Sequence, residues 1–248
     1  MTTPFYAPPD SFHSSRVVFP EAEAQHAAHV LRKQSGDEVV VVDGVGGWHR
    51  VQLGHVSRRQ VVGHVLETKR EVGEPERPVT IGLGVLKKRS RFETFVEKAV
   101  ELGVSRIQPL RTERTERNAV RQDRLHSVAV AAMKQCQRSR LPRLSDVRSL
   151  KAFLKRVAAD ASSPSHVPHV LLCHEQAADA PPLGAVLQSL DDARPLCILV
   201  GPEGGFSERE VSAALEADAR LVSLGPRRLR AETAGIVATT LAALVAPV

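Results

Sequence analysis

Two stretches in the last quarter of the chain hold the residue types best suited to chemistry. The first, Leu199-Val200-Gly201-Pro202-Glu203-Gly204-Gly205-Phe206-Ser207, sets three glycines, a proline and one carboxylate behind an apolar run. Glycine lets a ligand approach the main chain, whose N–H and C=O groups can read an adenine edge, and Glu203 offers an acceptor to a hydroxyl or amine. The second stretch opens at Leu224-Gly225-Pro226 and continues through Arg227, Arg228, Arg230 and Glu232. Cations are disfavoured at the positive end of a helix dipole, so arginines placed just ahead of a helix-like run suggest a use. A plain strand-to-helix turn accounts for Ser207 and Glu210 as a capping box, but leaves the glycines unexplained.

Each stretch reads as an apolar run, a Gly-Pro break and a helix-like segment, the way parallel strands end in ligand-binding loops. The elements that must carry them follow the same pattern. Strands are expected at 79–86, 107–110, 170–173, 196–200 and 221–224, and helices at 91–102, 123–137, 150–159, 208–216 and 232–246. Such alternation favours an α/β domain with a parallel sheet covered on both faces. Within 91–102, Phe92, Phe95, Val96, Ala99, Val100 and Leu102 repeat near the helical period, and Gly103 suits a C-terminal cap. The apolar residues of the last helix, Ile236, Val237, Leu241, Leu244 and Val245, suit a core or an oligomer seam.

Ahead of this region, β-like runs at 16–19, 38–42, 48–56 and 60–66 surround a helix-prone, Ala-rich segment at 21–31, with turns at Ser35-Gly36-Asp37 and Asp43-Gly44. They describe a small β-barrel-like domain with one helix. The polar segment 72–78, with two prolines, has the composition of a connection, so domains are expected at 1–73 and 79–248.

The chain has 248 residues and a formal net charge of +6, which favours a polyanionic partner, while 4% aromatic residues exclude base stacking as the main mode of binding. The arginine-rich run 111–117 and the cluster Arg138, Arg140 and Arg143 suit either a solvated face or phosphate contacts. Cys136, Cys173 and Cys197 lack metal-ligand spacing, and the histidines lack the zinc-protease pattern, so reduced thiols and no metal are expected. Gly82-Leu83-Gly84 lacks the third glycine and the acidic partner of a dinucleotide fingerprint. Residues 1–10 show no basic start followed by an apolar core, and no apolar run reaches the roughly 18 residues of a membrane span; a cytoplasmic protein is expected.

With these motifs in view, the chain resembles the small-subunit ribosomal RNA uracil-N3 methyltransferases, of the knotted SPOUT class. The resemblance runs nearly end to end. His26, His29-Val30-Leu31-Arg32, Gly36-Asp37 and Asp43-Gly44 look like the family's PUA-like RNA-binding domain. Lys98-Ala99-Val100-Glu101-Leu102-Gly103-Val104, Glu113-Arg114 and Gln135-Cys136-Gln137-Arg138-Ser139-Arg140-Leu141-Pro142 match its central signatures, and the two glycine-proline stretches are its most specific part. Lys134 departs from the pattern, standing where many members carry a glutamate.

The resemblance implies a C-terminal trefoil knot, S-adenosylmethionine as cofactor, a homodimer, and 16S ribosomal RNA of the small subunit as the substrate. It places the cofactor against Val200, Gly201, Glu203, Gly204 and Gly205, and against Leu224, Gly225, Leu229, Arg230 and Ala234. Leu172, His174 and Leu199 complete that expected site. Arg230 is the expected catalytic donor, with Glu232 as a proton acceptor or as the group that orients Arg230. Arg32, Arg111, Arg114, Arg138 and Arg140 are expected to contact RNA. The alternatives are another RNA substrate, such as tRNA, and an RNA-binding protein without methyl transfer.

Overall fold

The computed structural model describes residues 3–57, 59–159, 167–175 and 179–244. It divides into two compact units, one of residues 1–74 with 130–141 and one of residues 75–129 with 142–248. Residues 130–141, which lie inside the expected second domain, group with the first unit.

The first unit holds β1 (Phe5–Tyr6), β2 (Phe12–His13), β3 (Arg16–Val18), α1 (Glu21–Gln25), β4 (Glu38–Val42), β5 (Gly47–Val56) and β6 (Val61–Arg70). Its sheet runs β1-β4-β5-β6-β3-β2, antiparallel except for β1 beside β4. Alternation along β4 and β5 turns Val39, Val41, Val51 and Leu53 into one core with Phe5, Val17 and Phe19. Two register shifts between β5 and β6, at Arg50/Val51 and Leu53/His55, are the bulges that bend such strands. The helix expected over 21–31 is α-helical only as far as α1 and continues as a π-helical segment, His26–Val30.

Three ion pairs join 130–141 to the rest of this unit. Lys134 pairs with Glu23, Arg138 Nη2 donates to Glu74 Oε2 at 2.6 Å, and Arg140 pairs with Glu71. Arg138 is only 3% exposed. Its burial and its carboxylate partner correct the expectation that it reaches RNA, whereas Arg140 pairs with its carboxylate at the surface, its side chain 43% exposed. The departure at Lys134 has a local reason in this chain, because Glu23 supplies the complementary charge.

The β4–β5 turn is built on Asp43, whose Oδ1 accepts the N–H groups of Val45 at 2.8 Å and Gly47 at 2.7 Å. Asp43 Oδ2 lies 3.4 Å from His49 Nε2, and Thr68 Oγ1 is 3.0 Å from His49 Nδ1. Burial pushes the His49 pKa below its usual 6.5, outweighing Asp43, which raises it, while Arg70 lowers it further. A depressed folded-state value means that the unfolded chain binds the extra proton first. The stability from the neutral ring is therefore fully present above about 6.5 and is lost as pH falls below it. Lowering the pH from about 7 to about 5 is expected to reduce the melting temperature, and His49→Gln to flatten that part of the profile. An equally steep fall in the variant would exclude His49 as the source.

The second unit alternates strands and helices: β7 (Val79–Gly84), α2 (Arg89–Glu101), β8 (Arg106–Arg111), α3 (Gln122–Cys136), β9 (Arg143–Leu144), β10 (Arg148–Ser149) and α4 (Leu150–Ala159). It continues with β11 (His169–Cys173), α5 (Leu183–Gln188), β12 (Leu196–Val200), α6 (Glu208–Glu216), β13 (Arg220–Val222) and α7 (Ala231–Leu244). The division between the units falls within α3. The sheet order is β10-β8-β7-β12-β11-β13, every neighbouring pair is parallel, and β9 also pairs with β8.

Cys197 and Leu199 of β12 join Leu172 of β11 and Phe153 of α4 in one core, and α4 packs on α6. Leu196, Ile198 and Val200 point the other way and are also buried, on the side where α7 lies over β7 and β12 and packs on α2 and α5. This double coverage explains why the strands read as unbroken apolar runs. The strand expected over 221–224 stops at Val222, because Ser223 leaves the sheet to bridge Pro182. The expected end of the last helix, residues 245–246, lies outside the described residues.

Candidate active site

The parallel strands β11, β12 and β13 end side by side, with Cys173 opposite both Val200 and Val222. Beyond their carboxyl ends lies a cavity of about 350 Å³, within the range of small-molecule sites. Three walls follow from the topology: Cys173, His174 and Glu175 after β11, Val200 to Phe206 after β12, and Ser223 to Arg230 after β13 except Pro226, closed by Ala231 and Ala234 of α7. His174 N–H donates to Val222 O at 3.1 Å and ties the first wall to the third.

The glycine-rich wall is set by backbone sterics. A Cβ on Gly201 would sit 2.9 Å from the Cα of Gly205, so the loop can fold back on itself only without a side chain there. Gly225 adopts φ +105°, left-handed backbone that favours glycine. The loop then enters α6 through the expected capping box, with Ser207 accepting from Glu210 N–H and the Glu210 side chain accepting from Ser207 N–H. Side-chain-free stretches of this kind present main-chain groups to a flat ligand, which fits the donor and acceptor edge of a nucleoside.

Neighbouring loops brace this wall. Glu203 accepts the N–H of Lys87, beyond β7, at 3.2 Å, and its carboxylate keeps further lone pairs for a hydroxyl. Arg114, beyond β8, donates from Nη1 to Gly204 O at 2.8 Å, and Glu113 N–H reaches Glu210 Oε1 at 3.0 Å. Arg114 thus lines the cavity itself. Neither brace is readable from spacing, because each depends on which strands are neighbours in the sheet.

Charge is distributed unevenly around the cavity. Arg228 Nε lies 3.3 Å from Glu175 Oε2, an exposed pair worth roughly 0–1 kcal/mol that does not lock the walls together. Arg227 and Arg230, both exposed, have no side-chain partner among the described residues. Two uncommitted guanidinium groups make the site attractive to an anion. Cys173 also lines it, and burial pushes its thiol up to about 12, which favours the protonated form. Among the described residues no group of His, Cys, Asp and Glu could hold a metal ion, and no helix is long and apolar enough to cross a membrane.

Of the expected cofactor residues, His174, Val200, Gly201, Glu203, Gly204, Gly205, Leu224, Gly225, Leu229, Arg230 and Ala234 line the cavity. Leu172 and Leu199 do not; both are fully buried between the sheet and α4, since alternation turns them away from the loops. Glu232 is also displaced from its expected place. It is 9% exposed, does not line the cavity, and pairs with Arg91 of α2 rather than with Arg230. Arg32 and Arg111 are exposed at their expected places, the first after the π-helical segment and the second at the end of β8.

Comparison with known proteins agrees with this geometry. Residues 73–243 match the model of an RNA methyltransferase domain, and residues 19–66 match that of an RNA methyltransferase PUA domain. A ribosomal RNA small subunit methyltransferase E from Synechocystis sp. is 33% identical over 93% of this chain and 73% of its own. The crystal structure of such an enzyme from Neisseria gonorrhoeae, bound to S-adenosyl methionine, superposes with a TM-score of 0.81 at 26% identity, covering 96% of this chain and 95% of that one. A probable rRNA-methyltransferase from Porphyromonas gingivalis reaches a TM-score of 0.84 at 30% identity, covering 98% of each chain. The loops at the ends of β11, β12 and β13, the parallel sheet beneath them and the N-terminal β unit together place this chain in the ribosomal RNA small subunit methyltransferase E family, a SPOUT-type knotted methyltransferase domain preceded by a PUA-like domain.

Proposed function

We propose that the protein methylates N3 of one uracil in 16S ribosomal RNA of the small subunit, with S-adenosylmethionine as methyl donor. The observation that carries this reading is the glycine-walled cavity at the ends of three parallel strands, flanked by two arginines without side-chain partners among the described residues. When bound, S-adenosylmethionine supplies an electrophilic methyl group. Val200 to Gly205 hold the nucleoside part through main-chain groups, and the second carboxylate lone pairs of Glu203 accept a hydroxyl. Positioning of this kind supplies much of the rate, because transfer needs the nucleophile aligned behind the methyl group.

The uracil imide gives up its N3 proton to bulk water as N3 takes the methyl group, and the negative charge that builds on the imide spreads onto the flanking carbonyl oxygens. Arg230 donates to those oxygens, while Arg227 adds to the positive field that draws in the RNA. Phosphate contacts fall to exposed cations, Arg32 and Arg111, and to Arg114 at the cavity wall. The working form is proposed to be a cytoplasmic homodimer that uses no metal; half-buried Ile236, Val237 and Leu241 and 76% exposed Leu244 give α7 apolar surface suited to a second copy.

Calorimetric titration with S-adenosylmethionine is expected to show one site per chain. Incubation with unmethylated small subunits should then yield 3-methyluridine in 16S RNA, read by mass spectrometry. Absence of cofactor binding would leave only an RNA-binding role, and a methyl group on tRNA or on another nucleoside would replace the substrate assigned here.

A further inference from the structure

Arg91 lies on α2, outside the cavity, and is absent from every motif that marks the site. Its guanidinium Nε is 3.4 Å from Oε1 of Glu232, and Glu232 is 9% exposed. The other oxygen, Oε2, is buried and has no hydrogen-bond partner among the described residues. A buried carboxylate with one charged neighbour is tolerated in the fold chiefly through that neighbour. Among the described residues, Arg91 is the only cation paired with it.

The pair sits at a point with leverage. Arg230 O accepts the N–H of Ala234 at 2.8 Å, so Arg230 stands at the junction between the second loop and the first turn of α7. Fixing that turn fixes the Cα of Arg230. One turn further along both helices there is a second attachment: a Cβ on Gly235 would lie 2.8 Å from the Phe95 ring, so α7 meets α2 there without clearance. Arg91 and Phe95 are four residues apart on α2, and Glu232 and Gly235 three apart on α7, spacings that keep each pair on one helix face. The two attachments differ in kind. Phe95 against Gly235 sets the distance between the helices, whereas the ion pair resists rotation of the first turn.

We infer that Arg91 is a positioning residue for the proposed methyl transfer: through Glu232 it holds the first turn of α7, and with it Arg230, in the orientation that aims the guanidinium at the substrate. The inference rests on the proposed role of Arg230. Without Arg91, the Glu232 carboxylate gains by rotating toward water, and the turn rotates with it. The walls at 173–175 and 200–206 are anchored separately, by sheet pairing and by Lys87 and Arg114.

Arg91→Met tests this, with Arg91→Lys as the charge-retaining comparison. Hydrogen–deuterium exchange in the protein alone should quicken at 231–235 in Arg91→Met, with 200–206 unchanged, and should recover in part in Arg91→Lys. With cofactor and small subunits, kcat should fall about ten- to a hundredfold while the cofactor KM stays near wild type. In a double-mutant cycle, Arg91→Met combined with Glu232→Gln should cost no more than the worse single change. Unchanged exchange at 231–235, or acceleration throughout the second unit, would overturn the inference, as would additive losses in the cycle. Should the wild-type protein fail to methylate any RNA, the proposed function falls, while the exchange data still decide whether Arg91 holds the turn.

Discussion

Arg230→Ala is expected to reduce methyl transfer about a hundred- to a thousandfold while binding S-adenosylmethionine nearly as well as the unaltered protein. The size follows from the value of one preorganised donor at a site of developing charge, roughly 3 kcal/mol. The separation of effects follows from geometry. Arg230 is exposed and, among the described residues, uncommitted to any other side chain, so its removal disturbs no packing there and leaves the glycine-rich wall in place. Surface substitutions of this kind change stability by about 0.5 kcal/mol or less, and the melting temperature should barely move. Arg230→Lys should recover only part of the rate, since a single ammonium cannot serve flanking oxygens as a planar fork does. Single-turnover rates at saturating cofactor provide the measurement, and an Arg230→Ala rate equal to wild type would remove Arg230 from the mechanism.

The second large effect concerns stability and lies in the first unit. Glu74 Oε2 accepts from Arg138 Nη2 at 2.6 Å, and Glu74 Oε1 accepts the N–H groups of Ser139 at 3.1 Å and Arg140 at 2.9 Å. Both side chains are buried, at 3% exposure for Arg138 and 7% for Glu74. Glu74→Ala would remove the carboxylate paired with a buried guanidinium and leave the Arg140 N–H without its acceptor, while the Ser139 N–H keeps Val72 O at 3.0 Å. Breaking a buried pair from one side costs about 3–5 kcal/mol, a large part of the 5–15 kcal/mol that keeps a typical protein folded. The single tryptophan, Trp48, lies on β5 of the same unit and reports its unfolding directly. Urea titration followed by Trp48 fluorescence should show a clearly lower midpoint for Glu74→Ala. A midpoint within error of wild type would mean that the pair contributes no net stability.

These two arginines show what local residue patterns point to and where such patterns stop. The features that single out Arg230, which lines the cavity, are all local: a strand end, a Gly-Pro break, and cations ahead of a helix where the dipole disfavours them. Arg138 belongs to an equally dense basic cluster, yet its role is set by a carboxylate 64 residues earlier in the chain. No periodicity relates the two positions. Lys134 with Glu23, 111 residues apart, is a similar case, and so is Glu232, assigned by proximity to Arg230 but paired with Arg91.

The sequence by itself determined the alternating strands and helices of the second unit, the helical face of Phe92, Phe95, Val96, Ala99 and Val100, the capping box at Ser207 and Glu210, and the two glycine-proline loops. Each of these depends on hydrogen bonds and side-chain spacing within a few residues, where composition and period act directly. The tertiary structure alone decided that β12 lies between β7 and β11, that Lys87 and Arg114 therefore brace the glycine loop, and which charges are spent on partners and which remain free. Strand order and ion pairing bring together residues with no fixed separation along the chain, so their energies enter only when the whole fold closes.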